Sequence, residues 1–384
     1  MPRSSASTML TKRKLWVIVV IAAIIFLMLA TQTMHRRHFS VSSVSQVELN
    51  TEETVREAGA LPKVGPQAVT DIDQASYEKE KPEEMVDEKA EGEDNADLLE
   101  ENERPCGCPN SCMSDVDGFD WFGKRYDPNQ EPIVRETNNF EPEALKWWLG
   151  LQRSGNDQTI HEVIDKMFTV ISPPTVEFKP EPSRCRDCAV VGNSGNLLGS
   201  GNGKLINSFS SIIRMNKAVT RGFESDVGNR TTYHIMYPES AIDLEPGVSL
   251  VLLPFKLRDL EWLTSALSTG EIHTTYMRVK NLVKADKDKV LVVNPEFFKY
   301  VNDRWTERHG RYPSTGMLAL IYALHVCDQV SVFGYGADKL GNWHHYWEQN
   351  RNAGAFRKTG VHSGDYENQV IQQLAKNGKI DLHL

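Results

Sequence analysis

Cys185-Arg-Asp-Cys-Ala-Val-Val-Gly-Asn-Ser-Gly-Asn196 places a short apolar run, Ala189 to Val191, directly before a turn of glycines and asparagines. Consecutive apolar residues bounded by turn formers predict a strand buried on both faces rather than one that alternates between core and water. The turn Gly192-Asn-Ser-Gly195 fits neither the dinucleotide pattern G-x-G-x-x-G nor the Walker loop. It has two readings. Glycine supplies a positive φ for a tight turn, or the backbone N–H groups and asparagine amides hydrogen-bond to ribose, phosphate or sugar without a charge.

Working outward, further β-like runs stand at 249–255, 289–295 and 330–336, with candidate helices at 257–267, 296–304 and 315–326 between them. Strands apolar on both faces that alternate with helices predict an α/β body with a largely parallel sheet. Ligands in such folds collect at the carboxyl ends of the strands. The glycine-asparagine turn, Gly334-Tyr-Gly336 and Pro313 to Gly316 are thereby expected on one rim. Ahead of the sheet, residues 140–171 repeat apolar positions near helical spacing and predict two amphipathic helices, ended by Pro173-Pro174.

The first hundred residues read differently. After Lys12-Arg13-Lys14, residues 15–30 are uncharged and nearly all apolar, and with Thr31 to Met34 the run reaches the length of a membrane anchor. A cleaved secretory signal competes with that reading, and the lack of a small-x-small cleavage pattern counts against it. Basic residues before the run outweigh Arg36-Arg37 after it and favour a cytosolic tail (1–14), an anchor (15–34) and a lumenal body. Residues 35–104 become strongly acidic and poor in aromatics, a composition that does not repay the entropy of ordering, and are expected to form a stem. Much of the formal net charge of -9 sits there. No basic stripe or complete zinc-finger spacing points to nucleic acid. The six cysteines, 106, 108, 112, 185, 188 and 327, allow a redox or half-zinc reading of Cys185-x-x-Cys188, but three disulfides in an oxidising compartment account for all of them. Spacing leaves fifteen pairings open. Asn229-Arg-Thr231 is a glycosylation sequon.

Chemistry concentrates late in the chain. Trp343-His-His-Tyr-Trp347 supplies hydrogen-bonding groups and flat apolar faces suited to a sugar, although core packing is the competing account. His362 has the residue type to take a proton from a sugar hydroxyl near neutral pH, and Glu367 could orient it if a turn joins them. There is no H-E-x-x-H pattern and no DxD-like carboxylate pair on the rim, so a metal-dependent reaction is the less attractive reading.

Taken together, Cys185 to Asn216, PFKLRDLEWL (254–263), HGRYPSTGM (309–317), VFGYGADKLGNWHHYWEQN (332–350) and AFRKTGVHSGDYE (355–367) resemble animal β-galactoside α-2,3-sialyltransferases, most closely the branch acting on Galβ1-3GalNAc. The resemblance covers residues 105–384. It implies a modified glycosyltransferase A-type nucleotide-binding fold with a largely parallel central sheet. It also implies inverting transfer from CMP-sialic acid to the galactose 3-hydroxyl of glycoproteins or glycolipids, without a cofactor or metal. Donor contacts are expected from Asn193, Asn196, Asn216, Tyr276, Ser314, Thr315, Gly316 and, at the phosphate, His345. His362 matches the catalytic base in the pattern His-x-x-x-x-Glu ending at Glu367. Gln152, Tyr312 and Trp343 are expected beside the acceptor galactose. The resemblance further implies the disulfides Cys106–Cys112, Cys108–Cys185 and Cys188–Cys327, and a single-pass type II Golgi membrane protein with a lumenal catalytic domain. The Cys-x-Cys-x-x-x-Cys cluster is one residue longer in its second gap than the family pattern.

Overall fold

The computed structural model describes residues 105–384, apart from 117, 119, 137–138, 153–157, 338–343 and 350–359. Two helices come first, α1 (Pro142–Leu149) and α2 (Ile160–Phe168). Helix α1 has proline in its first turn, where no intrahelical N–H is needed, and the Glu141 carboxylate accepts from Glu143 N and Ala144 N. Helix α2 opens on a capping box in which Thr159 and Glu162 satisfy each other's backbone N–H groups, and it buries Ile160, Val163, Ile164 and Met167 on one face.

The chain then runs β1 (Asp187–Val191), α3 (Gly203–Ser208), β2 (Ser211–Met215), α4 (Glu224–Val227), β3 (Tyr233–Met236), β4 (Ser249–Leu252) and α5 (Leu257–Ala266). It continues through β5 (Val290–Val292), α6 (Pro295–Tyr300), α7 (Thr315–Val326), β6 (Gln329–Phe333), α8 (Gly364–Lys376) and β7 (Asp381–His383). The seven strands form one sheet in the order β5-β4-β3-β2-β1-β6-β7, and every neighbouring pair is parallel. This is the GT-A-like nucleotide-binding arrangement that the resemblance implies.

Both faces of the sheet are covered, which is why β1 reads as an unbroken apolar run. Cys188 and Val190 pack into the larger core, whereas Ala189 and Val191 point the other way into a second cluster with Ile212, Phe333 and Tyr346. Helix α7 is buried from Met317 through Val326. A helix apolar on all sides belongs inside the body, and it packs on β1, β2 and β6. Three disulfides are formed: Cys188–Cys327 ties β1 to the residue after α7, Cys108–Cys185 fastens the early segment to the approach to β1, and Cys106–Cys112 closes a small loop.

Two expectations change. The 296–304 helix breaks into α6 and a π-helical turn over Val301–Trp305. The expectation of a membrane-spanning signal-anchor, and with it a single-pass type II protein of the Golgi membrane, is also corrected. No helix among the described residues is long and apolar enough to cross a membrane. A span needs about 20 apolar residues, while α7 has 12 and α8 has 13. The tail (1–14), the 15–34 run and the 35–104 stem lie outside the described residues.

Candidate active site

The strand order makes the site. From β1 the chain moves through β2 to β5 on one side, then returns to place β6 on the other side of β1. Such a reversal opens a crevice at the carboxyl ends of the two central strands. The turns leaving β1 and β6 meet there. Gly192 N donates to Phe333 O at 2.8 Å and Ser194 N to Gly334 O at 3.0 Å. A Cβ at Gly192 would lie 2.4 Å from Gly334 O, and one at Gly334, whose φ is +67°, would lie 2.3 Å from Leu197 Cδ1. The glycines therefore permit close contact of two turns.

The cleft is walled by Asn193, Asn216, Ser314 to Gly316, His345, His362 and Glu367, together with Met215, Tyr237 and Tyr335. Asn193 Nδ2 donates to Met215 O at 3.1 Å, and Asn196 Nδ2 donates to Tyr335 O at 2.8 Å. Asn216 sits at φ +58°, a conformation asparagine tolerates better than most residues. Its carbonyl accepts from His234 Nε2 at 2.6 Å. The side-chain oxygens of Asn193, Asn196 and Asn216 are buried with no hydrogen-bond partner. Buried polar atoms are ordinarily satisfied, and two of these unmet acceptors, on Asn193 and Asn216, belong to residues that wall the cleft. Asn196 itself is outside the cleft wall.

His345 is joined to the same turn: it bridges Ser194, and its neighbours bind on either side, Gly195 N to His344 O at 2.8 Å and Tyr346 N to Asn193 O at 3.1 Å. Its ring stacks on Trp347 at 4.6 Å, and Nδ1 lies 2.8 Å from Glu348 Oε1.

His362 stands on the opposite wall. Its Nδ1 is 2.8 Å from Tyr312 O, and a carbonyl can only accept, so Nδ1 carries the proton and Nε2 is the basic nitrogen. Burial lowers its pKa, with the Tyr312 bond opposing. Glu367 takes a different place from the one the sequence suggested. Its two carboxyl oxygens accept from Ser314 N at 2.8 Å and Ser314 Oγ at 2.5 Å, while Ser314 Oγ also accepts from Met317 N to cap α7. The carboxyl is buried, which pushes its pKa up to about 7 against those two hydrogen bonds. The Tyr312 carbonyl holds Nδ1 of His362, and Glu367 fixes the Ser314 loop that begins α7.

Tyr312 packs edge-on to His362 at 5.0 Å and tilts against Phe255 at 5.3 Å; Phe255 in turn meets Tyr237 at 6.0 Å. Behind this aromatic wall Lys256 Nζ bonds Gln152 Oε1 at 3.0 Å, and the Tyr276 ring lies 5.1 Å from the same ammonium. Neither Gln152 nor Tyr276 lines the cleft. Trp343 lies outside the described residues. Tyr237 was missed in the sequence. It follows β3 at its carboxyl end, so a correct reading of that strand would have exposed it, and burial raises its pKa to about 12. Asn229 is exposed, with its amide bonded to Asn207.

Similarity to known proteins extends over much of the chain. The profile of Glycosyltransferase family 29 (sialyltransferase) matches residues 133–379. CMP-N-acetylneuraminate-beta-galactosamide-alpha-2,3-sialyltransferase 2 of Mus musculus is 53% identical over 281 residues, 73% of this chain and 80% of that protein. The enzyme numbered 1 in the same series from Homo sapiens is 47% identical over 280 residues, 72% of this chain and 82% of its own. A solved mammalian sialyltransferase in complex with Gal-beta-1-3GalNAc-ortho-nitrophenol superposes with a TM-score of 0.66 at 44% identity, covering 73% of this chain and 99% of that one.

Proposed function

The chain belongs to glycosyltransferase family 29, the sialyltransferases, and on that premise we propose that it moves sialic acid from CMP-sialic acid to the 3-hydroxyl of terminal galactose in Galβ1-3GalNAc glycans of glycoproteins or glycolipids, with inversion. The names of its relatives and the disaccharide bound by its structural neighbour support this donor and acceptor. One observation carries the mechanism: a half-buried histidine, held by Tyr312 O with Nε2 as its base, shares a cleft with the unmet amide oxygens of Asn193 and Asn216.

Asn193 and Asn216 accept from hydroxyl or amino groups of the cytidine, with Asn196 supporting the turn. The backbone of Ser314, Thr315 and Gly316 opens α7 toward the cleft, where N–H groups at a helix start suit the donor phosphate. His345 hydrogen-bonds the same phosphate, and Tyr276, which lies outside the cleft wall beside Lys256, is assigned to the donor by the resemblance alone. His362 Nε2 takes the proton of the galactose 3-hydroxyl as that oxygen forms its bond to the anomeric carbon of sialic acid. The bond from that carbon to the phosphate oxygen breaks, and CMP leaves with the electron pair. Hydrogen bonds aimed at the phosphate stabilise the charge it gains. Tyr312 gives the galactose ring a flat partner, Gln152 offers an amide, and Trp343 is the remaining acceptor contact.

His362→Ala separates this reading from simple binding. Positioned general bases contribute roughly 100- to 10,000-fold, so transfer falls by about that factor while CMP binding, followed by calorimetry, stays near wild type. Unchanged transfer would remove His362 from the mechanism.

A further inference from the structure

PFKLRDLEWL, the one motif to which the mechanism gives no role, contains a lysine in an unusual place. Lys256 has 3% of its side chain exposed. An unpaired ammonium cannot remain in such a site, and lysine is almost never this buried without partners. Its surroundings supply one hydrogen-bond acceptor, Gln152, and two carboxylates that pair with its charge. Asp259 Oδ1 lies at 2.7 Å, Gln152 Oε1 at 3.0 Å and Glu239 Oε1 at 3.5 Å, with the Tyr276 ring 5.1 Å away as a further neighbour. The carboxylates are themselves fixed, since Asp259 Oδ2 accepts from Phe255 N at 2.8 Å and Glu239 accepts from the Thr275 hydroxyl. Phe255 packs against Tyr312, which packs against His362.

We infer that Lys256 is a positioning residue for the acceptor: by taking the Gln152 amide oxygen into a fixed charged cluster, it makes the Gln152 N–H2 the group offered to an acceptor hydroxyl. Gln152 is 104 positions away in sequence and stands directly before residues 153–157. A long side chain with a free amide torsion would present oxygen and nitrogen interchangeably. An ammonium accepts nothing, so it selects the oxygen and leaves the N–H2 as the end still able to donate. The inference rests on the acceptor role proposed above for Gln152.

The test compares Gln152→Ala, Lys256→Met, their double variant and Gln152→Glu as full-length chains, with kcat and KM read separately for CMP-sialic acid and Galβ1-3GalNAc. Losing one hydrogen bond raises the acceptor KM roughly three- to tenfold, with a smaller change in the donor KM. Gln152→Ala and Lys256→Met should each do this, and the double variant should be no worse than either. Gln152→Glu keeps an oxygen for Lys256 but has no N–H2, and is expected to show the same raised acceptor KM, so the inference can still be contradicted where Lys256→Met does not fold. A wild-type acceptor KM for Gln152→Glu overturns the inference, as does a raised KM in Gln152→Ala with none in folded Lys256→Met; in that last case the acceptor role of Gln152 still stands. An unchanged KM in Gln152→Ala removes both.

Discussion

A backbone hydrogen bond orients His362. Because Tyr312 O holds Nδ1 at 2.8 Å, the ring has a defined tautomer, and because the site is buried its pKa is lowered rather than raised. Burial penalises the imidazolium, so the neutral, base-competent form persists into more acidic solution than for a free histidine. The acid limb of the kcat/KM profile is therefore expected below about pH 6.5, the ordinary histidine value, and should disappear in His362→Ala. An acid limb above that value, still present in the variant, would assign it to another group. His362 was legible in the sequence because its residue type and its distance from Glu367 suggest a base. The Tyr312 carbonyl was not, since backbone acceptors leave no mark in a sequence, and the natural guess of Glu367 as the orienting group gave way to a backbone contact. Lys256 and Gln152 were illegible as a pair because only the folded chain brings them together.

Two helices meet at Ser314 and Glu367. The carboxyl of α8 accepts from the backbone and hydroxyl of the residue that caps α7, so the loop at the donor side is held by a single buried acid. Its pKa is raised by burial from 4.5 to about 7. Between those values the folded chain binds more protons than the unfolded one, so this group's contribution is complete at low pH and is lost as pH rises through about 7. Glu367→Gln cannot ionise. Across pH 4.5 to 7 its stability should gain on wild type by on the order of 3 kcal/mol, read as the difference in unfolding midpoints at each pH. A constant difference over that window would mean that Glu367 does not titrate there. At this scale the sequence was uneven. Strands β1, β4, β5 and β6 announced themselves as apolar runs. Strands β2 and β3 did not, because Arg214 and His234 sit inside them: the former donates to backbone carbonyls and the latter binds Asn216 O. Strand β7 is three residues long and partly exposed, too short for a periodic signal. Helix α8 was read only for its chemistry, although Glu367, Val370, Ile371 and Leu374 are buried at helical spacing.

For the molecule as a whole, topology decides where chemistry can happen. A parallel sheet that reverses direction at β1 and β6 brings together residues from the segments after β1 and β2, before α7, after β6 and before α8. Those segments are the ones whose glycine, asparagine and histidine content stood out in the sequence, because a rim must be polar and tightly turned while the strands beneath it must be apolar. The disulfide Cys188–Cys327 joins β1 to the end of α7, closing 139 residues of separation. Chain-entropy reasoning puts such a bond near 5 kcal/mol, and a paired replacement by alanine should lower the unfolding midpoint substantially without moving the residues of the cleft. The most direct measurement is a competition: CMP-sialic acid with Galβ1-3GalNAc and Galβ1-4GlcNAc together, in EDTA, with product mass and linkage resolved. The account predicts α-2,3-linked sialic acid mainly on Galβ1-3GalNAc; product mainly on Galβ1-4GlcNAc would contradict the acceptor, and folded protein giving no product would contradict the reaction.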